Sequence, residues 1–202
     1  YSDDVLRIIE EPTGDLYDFA GVRDEENVND SIMTKVKHRY KWLILNLFTV
    51  FMAAYVVSLF QKTISAFVLL AVYMPVVAGM GGNAGTQTLA VVVRGLTLKE
   101  IDQKTGKKII FKEMAAGAIN GTIIGILVAI IASLWNQNPL LGIAIGSSMI
   151  INLMIAGLFG STIPLIMKYL RKDPATSATI FITTATDICG FFVFLTLATI
   201  LL

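Results

Sequence analysis

The sequence predicts an all-α membrane protein with five transmembrane helices per chain. Three observations carry that reading. Long apolar runs stand between short charged clusters, and a run of about 18 residues with few charges is long enough to cross a bilayer. Only 15% of the residues are charged and 55% are hydrophobic, with a mean hydropathy of +0.71, whereas soluble domains carry roughly a quarter charged residues. When the runs are threaded alternately through a membrane, fifteen of the sixteen Lys and Arg residues fall on one side.

Residues 1–22 are expected to form a cytosolic connector helix. The stretch DDVLRIIEEPTGDLYDFAGV has apolar residues at Val5, Ile8, Ile9, Leu16 and Phe19, at roughly helical spacing. Pro12 and Gly14 weaken it in the middle. Ten acidic residues precede residue 31, against two basic ones. The plainer reading is a solvated amphipathic helix. The sharper one is a carboxylate surface, with Glu10, Glu11 and Asp15, that senses divalent cations or docks on another domain. Residues 23–41 read as a loop and a basic interfacial helix, NDSIMTKVKHRYKWL. His38 stands alone there, without metal-ligand spacing around it.

Residues 42–202 hold the membrane domain, with spans expected at about 42–60, 64–94, 113–134, 140–167 and 174–202. The basic residues lie before the first span, after the second and between the fourth and fifth, and Lys62 alone falls on the opposite side. This bias predicts a multi-pass protein of the cell (inner or plasma) membrane, with a cytoplasmic N-terminus and an external C-terminus. Nothing in the composition suggests a nucleic-acid partner. The single cysteine, Cys189, cannot form an intrachain disulfide.

Of the acidic residues beyond the N-terminal segment, Glu100 and Asp102 fall in a loop and Glu113 and Asp173 at span ends. Asp187 alone falls midway along a span. A carboxylate at that depth costs at least a few kcal/mol and marks a function by default. Thr176, Thr179, Thr183, Asp187 and Gly190 share one face of the fifth helix. The face offers hydroxyls, a carboxylate and a glycine that exposes backbone carbonyl, which are hard oxygen donors suited to a hydrated hard cation. The plainer alternative is that Asp187 bonds to a neighbouring helix and the threonines to their own i−4 carbonyls.

The second span contains PVVAGMGGNAGTQTLAVVVRG, with five glycines, a proline and two amides inside an apolar region. Breakers at membrane depth free backbone groups that must then line a cavity. Pro75 to Gly85 is therefore expected to be bent or unwound along a path, with Asn83, Thr86 and Gln87 adding polar groups. Gly117, Gly121 and Gly125 of the third span form a GxxxGxxxG ridge read as packing. One carboxylate per chain is few for a divalent cation. A twofold axis supplies a second Asp187, which predicts a homodimer with a central ion pathway.

The blocks PVVAGMGGNAGTQTLAVVVRGL and DPATSATIFITTATDICGFFVF resemble the membrane domain of the MgtE family of magnesium channels and transporters. IIEEPTGDLYDFAGV is similar to the family's plug helix, where Pro12 and Gly14 are departures. The resemblance implies a five-span homodimer in which hydrated Mg2+, the transported ion, is held near Asp187 of both copies. It implies pore-lining roles for Gly79, Gly82 and Thr86 in the second span and for Thr179, Thr183 and Gly190 in the fifth. Some relatives carry asparagine where this chain has Thr86 and Thr179, so selectivity among Mg2+ and other divalent cations is expected to differ in detail. The family's N-terminal helical domain and CBS modules form a sensor that this chain lacks. The expectation is a piece of a longer protein or a short form.

The leading expectation is thus a magnesium-selective channel or transporter domain, not an enzyme. A Na+- or H+-coupled divalent cation carrier or exporter is the main alternative, and a non-transporting scaffold for a sensor is another. An intramembrane aspartyl protease needs two carboxylates sharing a proton, and the sequence offers a single mid-span aspartate.

Overall fold

A computed structural model of the chain describes residues 28–101, 105–171 and 178–202. The connector helix expected over 1–22, including Glu10, Glu11 and Asp15, lies outside the described residues, as do Pro174 and Thr176.

The described residues form helices α1 (Ile32–Leu59), α2 (Gln61–Ala66), α3 (Leu69–Thr97), α4 (Gly106–Asn136), α5 (Pro139–Tyr169) and α6 (Ala178–Leu201). All but the short α2 are long and apolar enough to cross a membrane, which gives the five expected spans. Helix is the form that satisfies every backbone group within one segment when water is absent.

The boundaries follow local chemistry. Ser31 caps α1 by accepting from the Thr34 N–H at 3.2 Å. The basic stretch from Ile32 is continuous with the first span, so it is the opening of one 28-residue helix rather than a separate segment. Gln137 adopts the left-handed region (φ 51°) and ends α4, and Asn138 then caps α5 by accepting from Leu140 and Leu141, with Pro139 at the first helical position. At the end of α3, Lys99 (φ 57°) turns the chain so that Glu100 and Lys99 donate back to the Gly95 and Leu96 carbonyls.

The breaker-rich stretch departs from expectation. Residues 75–85 are helical, inside an unbroken α3. Pro75 removes only one internal N–H donor. Two of its four glycines sit where neighbours leave no room for a side chain: a Cβ on Gly81 would strike Asn152, and one on Gly85 would strike Ile182. Tight packing against α5 and α6 thus holds the helix through residues that would weaken it in isolation.

Helix α5 is the hub, packing on α4, α6 and α3, while α1 rests on α6. The α4–α5 contact is backbone against backbone. A Cβ on Gly117 would meet the Leu153 carbonyl, one on Gly121 the Ile150 backbone, and one on Gly125 the Gly146 carbonyl. The GxxxGxxxG ridge is therefore a packing surface, as its spacing indicated. Above it a core gathers Leu70, Tyr73 and Val77 of α3 with Ile145 and Met149 of α5 and Phe194 of α6.

Neighbouring crossings run in opposite directions. At one end Lys168 near the close of α5 donates to the Leu96 carbonyl near the close of α3. At the other end Asn136, closing α4, donates to the Tyr73 hydroxyl near the start of α3, and Thr63 of α2 meets Thr199 of α6 at 2.8 Å. Lys62 belongs to this second end, and Arg94, Lys99, Lys107 and Lys168 belong to the first.

Gly121→Ala is expected to destabilise the protein by about 1–3 kcal/mol, because the α4 and α5 backbones cannot separate without losing their other contacts. Gly79→Ala, where the added methyl meets nothing within 4 Å, is expected to leave stability unchanged. Unfolding of the two variants in detergent checks both.

Candidate functional site: an acidic seam between two helices

Helices α3 and α6 pack side by side through small groups. A Cβ on Gly82 would lie 3.8 Å from the Thr183 methyl, and Gly85 faces Ile182 and Thr186. Beside this contact run Gly79, which faces open space, and the exposed Asn83 and Thr86 on α3. On α6, Thr179, Thr183 and Asp187 are half-buried. Gly79, Gly82, Asn83 and Thr86 of α3 and Thr179, Thr183 and Asp187 of α6 therefore form one polar seam, open along one flank of the helix pair, whereas Gln87 lies on the side of α3 toward α4.

The hydroxyls are oriented by their own helices. Thr183 Oγ1 donates to the Thr179 carbonyl at 3.0 Å and to that of Ile180 at 3.1 Å. Thr86 Oγ1 donates to the Gly82 carbonyl at 2.9 Å. This is the i−4 bonding that the plainer reading anticipated. It also spends each proton on the helix, so the oxygen lone pairs remain available to a cation or its water. Asp187 behaves differently. Its carboxylate makes no hydrogen bond or ion pair with any described residue. A carboxylate in an apolar helix with no protein partner calls for water, a cation or another chain.

Gly190 is placed less simply. It is buried, and a Cβ there would strike the amide of Asn152, 2.7 Å from Oδ1. Asn152 is a residue that the sequence reading missed. It is wholly buried on α5, donates from Nδ2 to the Val77 carbonyl at 2.7 Å, and leaves Oδ1 without a partner. It lies against Gly81 of α3 and Gly190 of α6 at once, and so spaces the two helices of the seam. The available signal was an asparagine inside the apolar run SSMIINLMIAGLFG.

Glu113 is the second miss. Helix α4 begins at Gly106, seven residues earlier than expected, which moves Glu113 from a span end to its third turn. Its backbone carbonyl packs on Gly157, about three turns inside the end of α5. Glu113 and Asp187 are the two acidic residues within the five long helices. No group of three or more His, Cys, Asp or Glu side chains able to hold a metal tightly occurs among the described residues.

Five helices long and apolar enough to cross a bilayer, with a carboxylate that has no partner among the described residues beside a seam of hydroxyls and glycines, define a polytopic membrane protein. Comparison with known proteins sharpens that class. The MgtE family model, described as a divalent cation transporter, matches residues 74–197. The chain is 35% identical to the magnesium transporter MgtE of Bacillus subtilis (strain 168) over 98% of its own length and 44% of that protein's. It is 34% identical to the one from Enterococcus faecalis (97% of this chain, 43% of the relative). The corresponding protein of Thermus thermophilus is 28% identical (99% and 45%). The chain belongs to the MgtE family, and it spans less than half the length of these relatives.

The seating of Asn152 makes a sharp prediction. Gly190→Ala should destabilise the wild-type protein but cost much less when combined with Asn152→Ala, which removes the obstructing amide. A double-mutant cycle on detergent unfolding should give a coupling of about 1 kcal/mol or more.

Proposed function

We propose that this chain is a magnesium-conducting membrane domain that works as a homodimer. In this reading the α3–α6 seams of two copies face each other, and hydrated Mg2+ passes between two Asp187 carboxylates. The observation that carries the reading is the Asp187 carboxylate itself, half-buried midway along α6 and without a partner among the described residues. In a lone chain the open flank of the seam would turn Asn83, Thr86 and Asp187 toward lipid, at several kcal/mol for the carboxylate alone. A second copy related by a twofold axis would enclose these groups and double the charge.

The chemistry fits Mg2+. The ion dehydrates reluctantly and is commonly bound through one or two carboxylates with its waters retained. A site of two carboxylates, threonine oxygens and backbone carbonyls can hold the hydrated ion from outside its water shell. Binding of that kind is weak enough for release, which conduction requires. Ca2+ exchanges water more readily and prefers more direct ligands, so it gains less from such a site. The glycines at positions 79 and 82 would leave width for the hydrated ion beside α3.

The proposed orientation sets the basic end of the bundle in the cytoplasm. A negative interior then drives a divalent cation inward by about 4.6 kcal/mol per 100 mV, twice the value for one charge. Regulation in a longer protein would come from chain preceding the membrane domain, with the acidic segment holding Glu10, Glu11 and Asp15 as the link to it.

Magnesium uptake into proteoliposomes, driven by an imposed interior-negative voltage without Na+ or pH gradients, tests the reading. Wild-type protein is expected to take up Mg2+. Asp187→Ala should lower the rate by at least tenfold, or about 1.4 kcal/mol in barrier terms, while the protein stays folded. Uptake that begins only when a Na+ or H+ gradient is supplied would replace the channel with a coupled carrier. Equal uptake by both proteins would remove Asp187 from the path.

A further inference from the structure

Helices α3 and α4 both pack on α5 but diverge from each other, leaving a cavity of about 140 Å³ between them. Its floor is Leu153 of α5. Its walls carry Gln87 and Thr88 from α3 and Glu113 and Asn120 from α4, so four polar side chains surround one space. The Thr88 hydroxyl donates to Glu113 Oε2 at 3.3 Å and fixes the carboxylate on the cavity wall. Among the described residues no Lys or Arg lines the cavity and Glu113 forms no ion pair. The outer faces of both helices nearby are apolar, with Val91, Ile119 and Ile123 exposed. A fixed, unneutralised carboxylate with two amides in such a setting is costly unless something polar occupies the space.

We infer that this cavity is a second binding site for a hydrated divalent cation, separate from the Asp187 seam. At about 30 Å³ per water, the space holds four or five waters, enough for a cation that keeps most of its shell with the Glu113 carboxylate in place of a water. Glu113 supplies the charge. The Gln87 and Asn120 amide oxygens accept hydrogen bonds from coordinated water, and Thr88 holds the carboxylate in register. A single carboxylate makes the site weak, in keeping with an ion that keeps most of its shell. A proton alone would neutralise Glu113 but would not use the volume or the amides. An ammonium side chain from another protein segment would have to enter from the lipid side.

The choice of Mg2+ as probe rests on the transport reading, so the test is run with Asp187→Ala, where the seam cannot contribute. In the full chain in lipid nanodiscs, Cys189→Ala removes the native thiol and Ala116→Cys places one on the cavity wall. Its reaction with a neutral water-soluble maleimide is followed with and without Mg2+, with K+ at matched ionic strength as control. Mg2+ at about four times its Kd, which fills about four-fifths of the sites, is expected to slow the reaction about fivefold. Glu113→Gln should abolish that protection and Glu113→Asp should retain it. Should Glu113→Gln fail to fold, Asn120→Leu, at an exposed position, is expected to weaken the protection instead. Protection that survives Glu113→Gln, or that K+ reproduces, would overturn the proposal. So would a thiol that never reacts, since the cavity would then be closed by lipid or by a second copy.

Discussion

The architecture depends on how closely the other helices can approach α5. Lipid offers no hydrophobic drive for one apolar helix to seek another, so association in a bilayer rests on close packing and polar contacts. Here the approach is made by glycine on both partners. Gly117, Gly121 and Gly125 of α4 and Gly146 and Gly157 of α5 leave backbones touching where any side chain would intrude. That contact sets α5 as the fixed element against which the others are placed.

From this frame the seam follows. Asn152 projects from α5 and is received by Gly81 on one side and Gly190 on the other. Its hydrogen bond to the Val77 carbonyl ties α3 to the hub at the level of the breaker-rich stretch. Gly160, further along α5, meets Gly85 and Thr88 of α3. With α3 and α6 held by common contacts, Gly82 comes to lie beside Thr183, and the hydroxyl and carboxylate face of α6 stands next to the glycine face of α3. The glycines of α3 thus do two things. Those facing inward admit Asn152 and Ile182, while Gly79 keeps the open flank free of side chains.

The two carboxylates of the long helices differ in a way that bears on their proposed roles. Asp187 has no donor among the described residues, and its flank is open. Glu113 is held by Thr88 in a partly enclosed space walled by amides. A group left free suits an ion that must come and go, whereas a group held in place suits occupancy. Both lie on helices anchored to α5, so in the proposed reading an ion at either site would act on the same element.

The number of spans, the sidedness of charge, the packing role of the α4 ridge and the mid-span position of Asp187 were all determined by sequence. Each rests on a local property: run length, Lys and Arg placement, a four-residue period, one carboxylate among apolar neighbours. Family membership followed from the two motif blocks. The tertiary structure decided what depends on neighbours. Pro75 and its glycines looked like a break because isolated helices with those residues are weak, yet contacts with Asn152 and Ile182 keep α3 helical. Glu113 looked terminal because three lysines precede it within six residues, yet α4 starts at Gly106 and carries it inward. Gly190 looked like an exposed carbonyl on the Asp187 face, yet its Cα is covered by an amide from a helix 38 residues away in sequence. Periodicity within one helix reports a face, but which neighbour covers that face is fixed only when the helices pack.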